Sequence, residues 1–344
     1  MYHINYSSII SIENIFQAFS EFKKGKGKRE DVQLFERNLE DNLFSLHENL
    51  KEKKYRHGDY KAFYVRDPKV RHIHKAVVRD RIVHHLVSNV LEVVFEPQFF
   101  AHSYSCRKEK GTHKAVIELI KQARKASKNN MSALFVLKCD IKKFFASIDH
   151  KVLLALLKSS FNDKDFLWLL SEIVESFQTD NTISKGMPIG NLTSQLFANI
   201  YLNPLDQFMK HVLKVKYYIR YADDFIILSK DRDYLQNLII EIEKYLSDKL
   251  QLKLHPSKVT IRNYYFGIDF LGYVIFPYFV LPRTHTKRRI SRKLSEKVGL
   301  LKNGQLSNES LNQSLQSYLG YLLHANAFKL SEEVKNKMWF WLTE

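Results

Sequence analysis

Between residues 131 and 282 the spacing of apolar positions changes period several times. SALFVLKCD (132–140) is an apolar run closed by an acid, the pattern of a buried strand. From His150 to Lys158 the apolar residues recur at helical spacing, and Asp149 stands where a helix N-cap belongs. YYIRYADDFIILS (217–229) reads as two short strands of aromatic and β-branched residues around a tight Ala-Asp-Asp turn. DYLQNLIIEIEKYLSDKL (233–250) is a strongly amphipathic helix, and FLGYVIF (270–276) reads as one more strand. Strands and helices mixed in this order predict an α+β sheet packed on helices.

On either side the pattern is mainly helical. Residues 1–130 contain one extended piece, and His72, His74, His84 and His85 fall in what reads as a helical stretch. Lys23, Lys24, Lys26, Lys28 and Arg29 crowd around two glycines. This reads as an exposed basic loop, equally suited to being solvated or to holding phosphates. Residues 283–344 open with RTHTKRRISRKLSEK and continue in helical periods, which predicts a small helical bundle with a basic lip.

Composition sharpens this picture in one respect. The 344 residues carry a formal charge of +17, which draws the chain to polyanions, and nucleic acid is the commonest of these. No stretch approaches the roughly 20 apolar residues that span a bilayer. The N-terminus lacks the features of a signal peptide. Cys106 and Cys139 fit no disulfide framework or zinc pattern and read as reduced packing residues, and no structural metal is expected. The expected location is the cytoplasm, with no membrane partner.

Two features carry candidate chemistry: Asp140 at the end of a buried strand, and the pair Asp223–Asp224 in an apolar hairpin. Acids beside buried strands are costly unless compensated, and a divalent cation is an apt compensator. Asp is also an ordinary turn residue, so the pair alone decides nothing.

The ordered set around it does more. Tyr221-Ala222-Asp223-Asp224 resembles the YxDD box of reverse transcriptases, and LKCDIKKFFASIDH (137–150) resembles their first catalytic block. GMPIGNLTSQLFANIYLNPLD (186–206), HPSK (255–258) and FLGY (270–273) resemble the blocks between and after these. RDPKVRHIHKAVVRDRIVHHLV (66–87) and SYSCRKEKGTHKA (103–115) resemble the finger blocks. The resemblance implies a right-hand polymerase fold. Its fingers would occupy 1–130, its palm 131–282 with an interleaved finger segment near 180–200, and its helical thumb 283–344. It implies RNA-directed DNA polymerisation with two Mg2+ ions, or Mn2+ in their place. Template RNA, a DNA or RNA primer and deoxynucleotides would be the substrates, and cDNA the product.

Roles follow by position. Asp140, Asp223 and Asp224 would be the catalytic metal ligands, with the Ile141 carbonyl as a further oxygen. Lys69, Arg71, Phe145, Ile189, Gly190 and Gln195 would form the nucleotide site, with the two cations on the triphosphate and Phe145 as a steric gate against a ribose 2′-hydroxyl. Phe144 or Phe145 belongs to the core. Arg79 and Arg81 are either structural or line the same cleft. Leu271, Gly272 and Tyr273 would form the primer grip.

Most of the family reads Gln-Gly at positions 189–190 and closes that block with Ser-Pro. This chain has Ile189 and Gln195, a pattern similar to the reverse transcriptases of diversity-generating retroelements. These copy a template-repeat RNA with errors at adenines, and the resemblance adds a small basic accessory protein as partner. A Gln at 189 would offer amide hydrogen bonds near the nascent pair, and Ile offers none. Residues 283–344 suit a bundle and not an RNase H domain, and no HNH-like cluster follows. A retron or antiphage-defence enzyme and a non-catalytic RNA-binding scaffold are the alternatives.

Overall fold

The computed structural model describes residues 2, 4–66, 69–179 and 184–343. Asp67 and Pro68 of the first finger block, and residues 180–183 of the interleaved segment, lie outside the described residues. The N-terminal third begins with α1 (Tyr6–Ile9), α2 (Ile12–Lys23), α3 (Glu30–Glu36) and α4 (Leu39–Lys51). A hairpin of β1 (Lys61–Val65) and β2 (Arg71–Lys75) follows, then α5 (Val78–Phe95) and α6 (Thr112–Ala126). The chain continues through β3 (Phe135–Asp140), α7 (Phe144–Ser147), α8 (His150–Lys158), α9 (Lys164–Glu175) and α10 (Leu192–Gln207). Next come β4 (Tyr217–Tyr221), β5 (Asp224–Ser229), α11 (Arg232–Leu250) and β6 (Thr260–Asn263). A small sheet of β7 (Ile268–Phe270), β8 (Tyr273–Ile275) and β9 (Val280–Pro282) leads into α12 (Thr284–Lys302), α13 (Asn308–Leu322) and α14 (Phe328–Thr343).

The central sheet is antiparallel with strand order β4-β5-β3-β6. Its strands β3 and β5 are apolar almost throughout, because helices cover one face and further elements the other. The main core joins α2, α4 and α5 to α8–α11 through residues such as Phe22, Leu86, Leu157, Tyr201 and Leu246. Helices α5 and α10 are buried along much of their length, which is why neither shows a clean polar stripe. The Asp149 carboxylate caps α8 by accepting from the backbone N–H groups of Lys151 and Val152, as its position predicted.

Four readings change. FLGYVIF is not one strand but the hairpin β7–β8. Leu271 and Gly272 form its two-residue turn, both at positive φ (+50° and +91°), and they fold the run back on itself. His72 and His74 sit on β2, and only His84 and His85 are helical. The basic segment 23–29 is partly tied down: Lys23 pairs with Glu36, and the Lys26 ammonium donates to the Phe22 carbonyl. Cys139 is buried, but Cys106 is exposed and packs nothing into the core.

Candidate active site

The strand register assembles the acids. Asp140, the last residue of β3, pairs with Asp224, the first residue of β5. Tyr221 also pairs with Asp224, so Ala222 and Asp223 are the two-residue turn between β4 and β5. The Ile141 N–H donates to the Asp223 carbonyl (3.3 Å) and ties the end of β3 to that turn. All three acids therefore stand at one end of the sheet. Ala222 is held at φ +53°, a left-handed conformation that costs an alanine about 1–2 kcal/mol.

What holds the turn lies beneath it. Arg220 is fully buried and grips Asp206 of α10 through Nε–Oδ1 (2.8 Å) and Nη2–Oδ2 (2.5 Å). Its Nη1 donates to the Ala222 carbonyl (3.1 Å) and to Asn199 Oδ1 (3.3 Å). The Tyr218 hydroxyl completes the Asp206 shell (2.7 Å). Sequence reading missed Arg220, Asp206 and Asn199. The signal was present, because a lone cation inside a buried strand needs an acid partner.

Two lysines, also missed, neutralise the acids. Lys258 Nζ donates to Asp140 Oδ1 (2.8 Å), and Lys138 Nζ lies 3.6 Å from Asp224 Oδ2. Burial, reinforced by the Asp140 and Asp224 charges, pushes the Asp223 carboxyl up to about 6. Burial raises Asp224 too, against the opposing pull of Lys138. Asp224 Oδ1 is buried with no hydrogen-bond partner among the described residues. An orphaned carboxylate oxygen beside two further acids is a hard-oxygen donor set, the chemistry a divalent cation takes. No three His, Cys, Asp or Glu side chains among the described residues close into a ready-made ion cage, this triad included. The acids fit such an ion in kind, with lysines now interleaved among them.

Two adjoining cavities open here. One, of about 280 Å³, is lined by Lys69, Lys138, Asp140, Asp224 and Lys258 and runs along the β3 face to Val136 and Gly267. The other, of about 490 Å³, gathers Arg71, Phe145 and Ile189. Phe144 is core and Phe145 is half-buried, which settles which ring faces the cavity. Ile189 is held by main chain: its carbonyl accepts from the His74 N–H (3.0 Å). Asn191 bonds His74 and Ala76 of the same stretch. Gly190 is exposed at φ +115°, and a Cβ there would sit 2.7 Å from Ile73. Gln195 lies exposed in the first turn of α10 and lines neither cavity. Arg81 pairs with Asp31, and Arg79 with buried Asp80. Leu271 and Gly272 form the β7–β8 turn, whereas Tyr273 is buried, with its hydroxyl donating to the Tyr321 carbonyl (2.9 Å).

Residues 65–275 match the family described as reverse transcriptase (RNA-dependent DNA polymerase). The chain belongs to the reverse transcriptase family. Members of this family use divalent metal ions with a template, a primer and deoxynucleotides. Within the family, the chain is 25% identical to protein YkfC of Escherichia coli K12, across 60% of this chain and 63% of that protein. It is 22% identical to the group II intron-encoded protein LtrA of Lactococcus lactis subsp. cremoris, across 88% of this chain and 58% of that protein. The chain thus spans less than two thirds of the length of each. Its right-hand polymerase fold is shared with a C-terminally truncated apo telomerase from Candida tropicalis. The TM-score is 0.52 at 13% identity, over 70% of this chain and 60% of that one. Among the described residues no helix is long and apolar enough to cross a membrane.

Proposed function

We propose that this reverse transcriptase is an RNA-directed DNA polymerase of the diversity-generating type, which copies a template-repeat RNA into cDNA with errors at adenines. The observation that carries the polymerase reading is the meeting of Asp140, Asp223 and Asp224 at one end of the sheet. In this reading fingers occupy 1–130, the palm 131–282 with a finger segment near 180–200, and the thumb 283–344.

Asp140, Asp223 and Asp224, with the Ile141 carbonyl, are the groups that would hold the ions. Two Mg2+ ions, or Mn2+ in their place, would activate the primer 3′-hydroxyl and stabilise the departing pyrophosphate. Lys69 and Arg71 neutralise the triphosphate of the incoming nucleotide, each from one of the two cavities. The Phe145 ring, half-buried on the second cavity, excludes a 2′-hydroxyl. Gly190 lets the main chain approach Ile73 closely beside that cavity, and Gln195, exposed in the first turn of α10, would reach the nucleotide only from outside both cavities. The Leu271–Gly272 turn positions the primer end through main chain and the Leu271 side chain, because Tyr273 faces inward.

Support for the mutagenic subtype rests on Ile189, which lines the cavity of Arg71 and Phe145 with a side chain that can neither donate nor accept a hydrogen bond. Template RNA and a small basic accessory protein are the partners this reading requires.

Primer extension on an adenine-containing RNA template with Mg2+, followed by sequencing, tests both levels. The parent should extend with errors concentrated at template adenines. Asp223→Ala should lose two to three orders of magnitude or more, the scale of removing one electrostatic stabiliser. Ile189→Gln should reduce the adenine errors. Accurate product would replace the subtype with a retron- or defence-type enzyme. No product, even with cognate RNA and accessory protein, would leave an RNA-binding scaffold.

A further inference from the structure

The end of the central sheet opposite the acids carries its own chemistry. There Phe135 of β3 pairs with Ser229 of β5 and Asn263 of β6, and β4 begins at Tyr217. On the β4–β5 side a cavity of about 450 Å³ is lined by Lys125, Lys128, Lys214, Lys216 and Lys230. No acid lines it, and none of the five lysines forms an ion pair among the described residues. The catalytic cavity is the opposite case, since Lys138, Lys258 and Arg283 each meet an acid there. Five like charges around one concavity create a potential that a polyanion relieves.

Across the same edge lie rings with no partner to bury them. Tyr265, Phe266 and Tyr278 are 72%, 74% and 73% exposed. Their two loops are one unit, because the Tyr264 hydroxyl donates to the Phe276 carbonyl (3.1 Å) and the Phe276 ring covers Gly267. The segment between the two sites is fixed to this unit: the Asn130 side-chain amide donates to the Pro277 carbonyl (2.7 Å). Next to Asn130, Met131 is 82% exposed. Three strand spacings, roughly 14 Å, separate the β4 and β6 ends.

Protein interfaces enrich aromatics but deplete lysine, so this mixture disfavours a protein partner. Rings cannot stack on bases already paired in a duplex, whereas cationic grooves with exposed aromatics are how unpaired strands are held. We infer that this edge is a second nucleic-acid surface, which holds an unpaired RNA segment with phosphates over the lysine cavity and bases against Tyr265, Phe266 and Tyr278. It stands on surface chemistry and does not need the polymerase reading to hold.

The test is fluorescence anisotropy of the full chain with a labelled oligo(U) RNA and, separately, an RNA duplex, each over a salt series. Two variants are compared with the parent: Tyr265→Ala/Phe266→Ala/Tyr278→Ala, and Lys125→Gln/Lys128→Gln/Lys214→Gln/Lys216→Gln. The aromatic variant should weaken oligo(U) binding about tenfold or more per stacked ring, with an unchanged salt slope and little effect on the duplex. The lysine variant should flatten the salt slope by about 0.7 for each phosphate it no longer neutralises. Its four positions are exposed, so it reports even if the aromatic variant does not fold. Extension of a short preformed primer–template should continue at the parent rate in both, and Asp223→Asn should keep its oligo(U) affinity. Unchanged oligo(U) affinity in the lysine variant would overturn the inference. So would equal loss on oligo(U) and duplex in the aromatic variant, or a shift in that variant's oligomeric state with RNA affinity intact.

Discussion

The two hairpin turns near the acids are built alike and anchored differently. In each, two residues link antiparallel strands, a positive φ is required, and a turn carbonyl is clamped by a donor outside the turn. At Ala222–Asp223 the donor is Arg220, locked to Asp206 inside the core. At Leu271–Gly272 the donors are the Tyr321 hydroxyl (2.7 Å) and the Arg283 N–H (2.8 Å), which belong to the C-terminal bundle and the segment entering it. The acid-bearing turn is thus fixed by the sheet's own interior. The other turn is held from two sides, by the bundle at its carbonyl and by Phe270 and Tyr273, which are buried against Val136, Ile219 and Ile226 of the central sheet. A site arranged this way fixes its charged groups from within the sheet and ties its second wall to the bundle as well.

Substitutions separate the two anchors. Arg220→Met, which strands a buried Asp206, should cost about 3–5 kcal/mol in chemical unfolding. Adding Asp206→Leu should recover much of that stability while primer extension stays low, because the Ala222 carbonyl remains unclamped. Recovery of both together would mean the network serves only the fold. Gly272→Ala places a Cβ 3.0 Å from the Tyr321 hydroxyl at φ +91° and should cost roughly 1–2 kcal/mol. Its kinetic signature should be a raised KM for primer–template with kcat little changed. Tyr321→Phe removes one clamp, for about 1 kcal/mol and a smaller KM effect of the same kind. A fall in kcat alone for either would show that the bundle also governs the acids. Ala222→Gly relieves the left-handed strain but adds unfolded-state entropy, so thermal unfolding should move by less than about 1 kcal/mol.

Local signals carried much of the architecture. The run 132–140, the Asp149 cap and the 233–250 periodicity each became the element they implied, because burial and capping are decided within a few residues. The adjacency of Asp140 and Asp224 was not legible, since it depends on β5 lying between β4 and β3 in a sheet assembled over long sequence separations. For Arg220 the need for a buried acid partner was legible but the partner was not: Asp206 lies fourteen residues away on another element, and only the folded chain joins the two. FLGYVIF misled because a two-residue turn inside a seven-residue apolar run leaves period and composition unbroken. Only Gly272 hinted at the reversal. His72 and His74 looked helical beside α5, although β1 pairing decides their conformation.

The stretch around Ile189 has a different consequence. His74 and Ala76 hold it through the Ile189 carbonyl and the Asn191 side chain, so nothing in that attachment depends on what residue 189 carries. A lineage could exchange the side chain facing the cavity without renegotiating its scaffold. If residue 189 sets accuracy as proposed above, copying accuracy would then be a trait that drifts or is selected one codon at a time, on a framework that stays put.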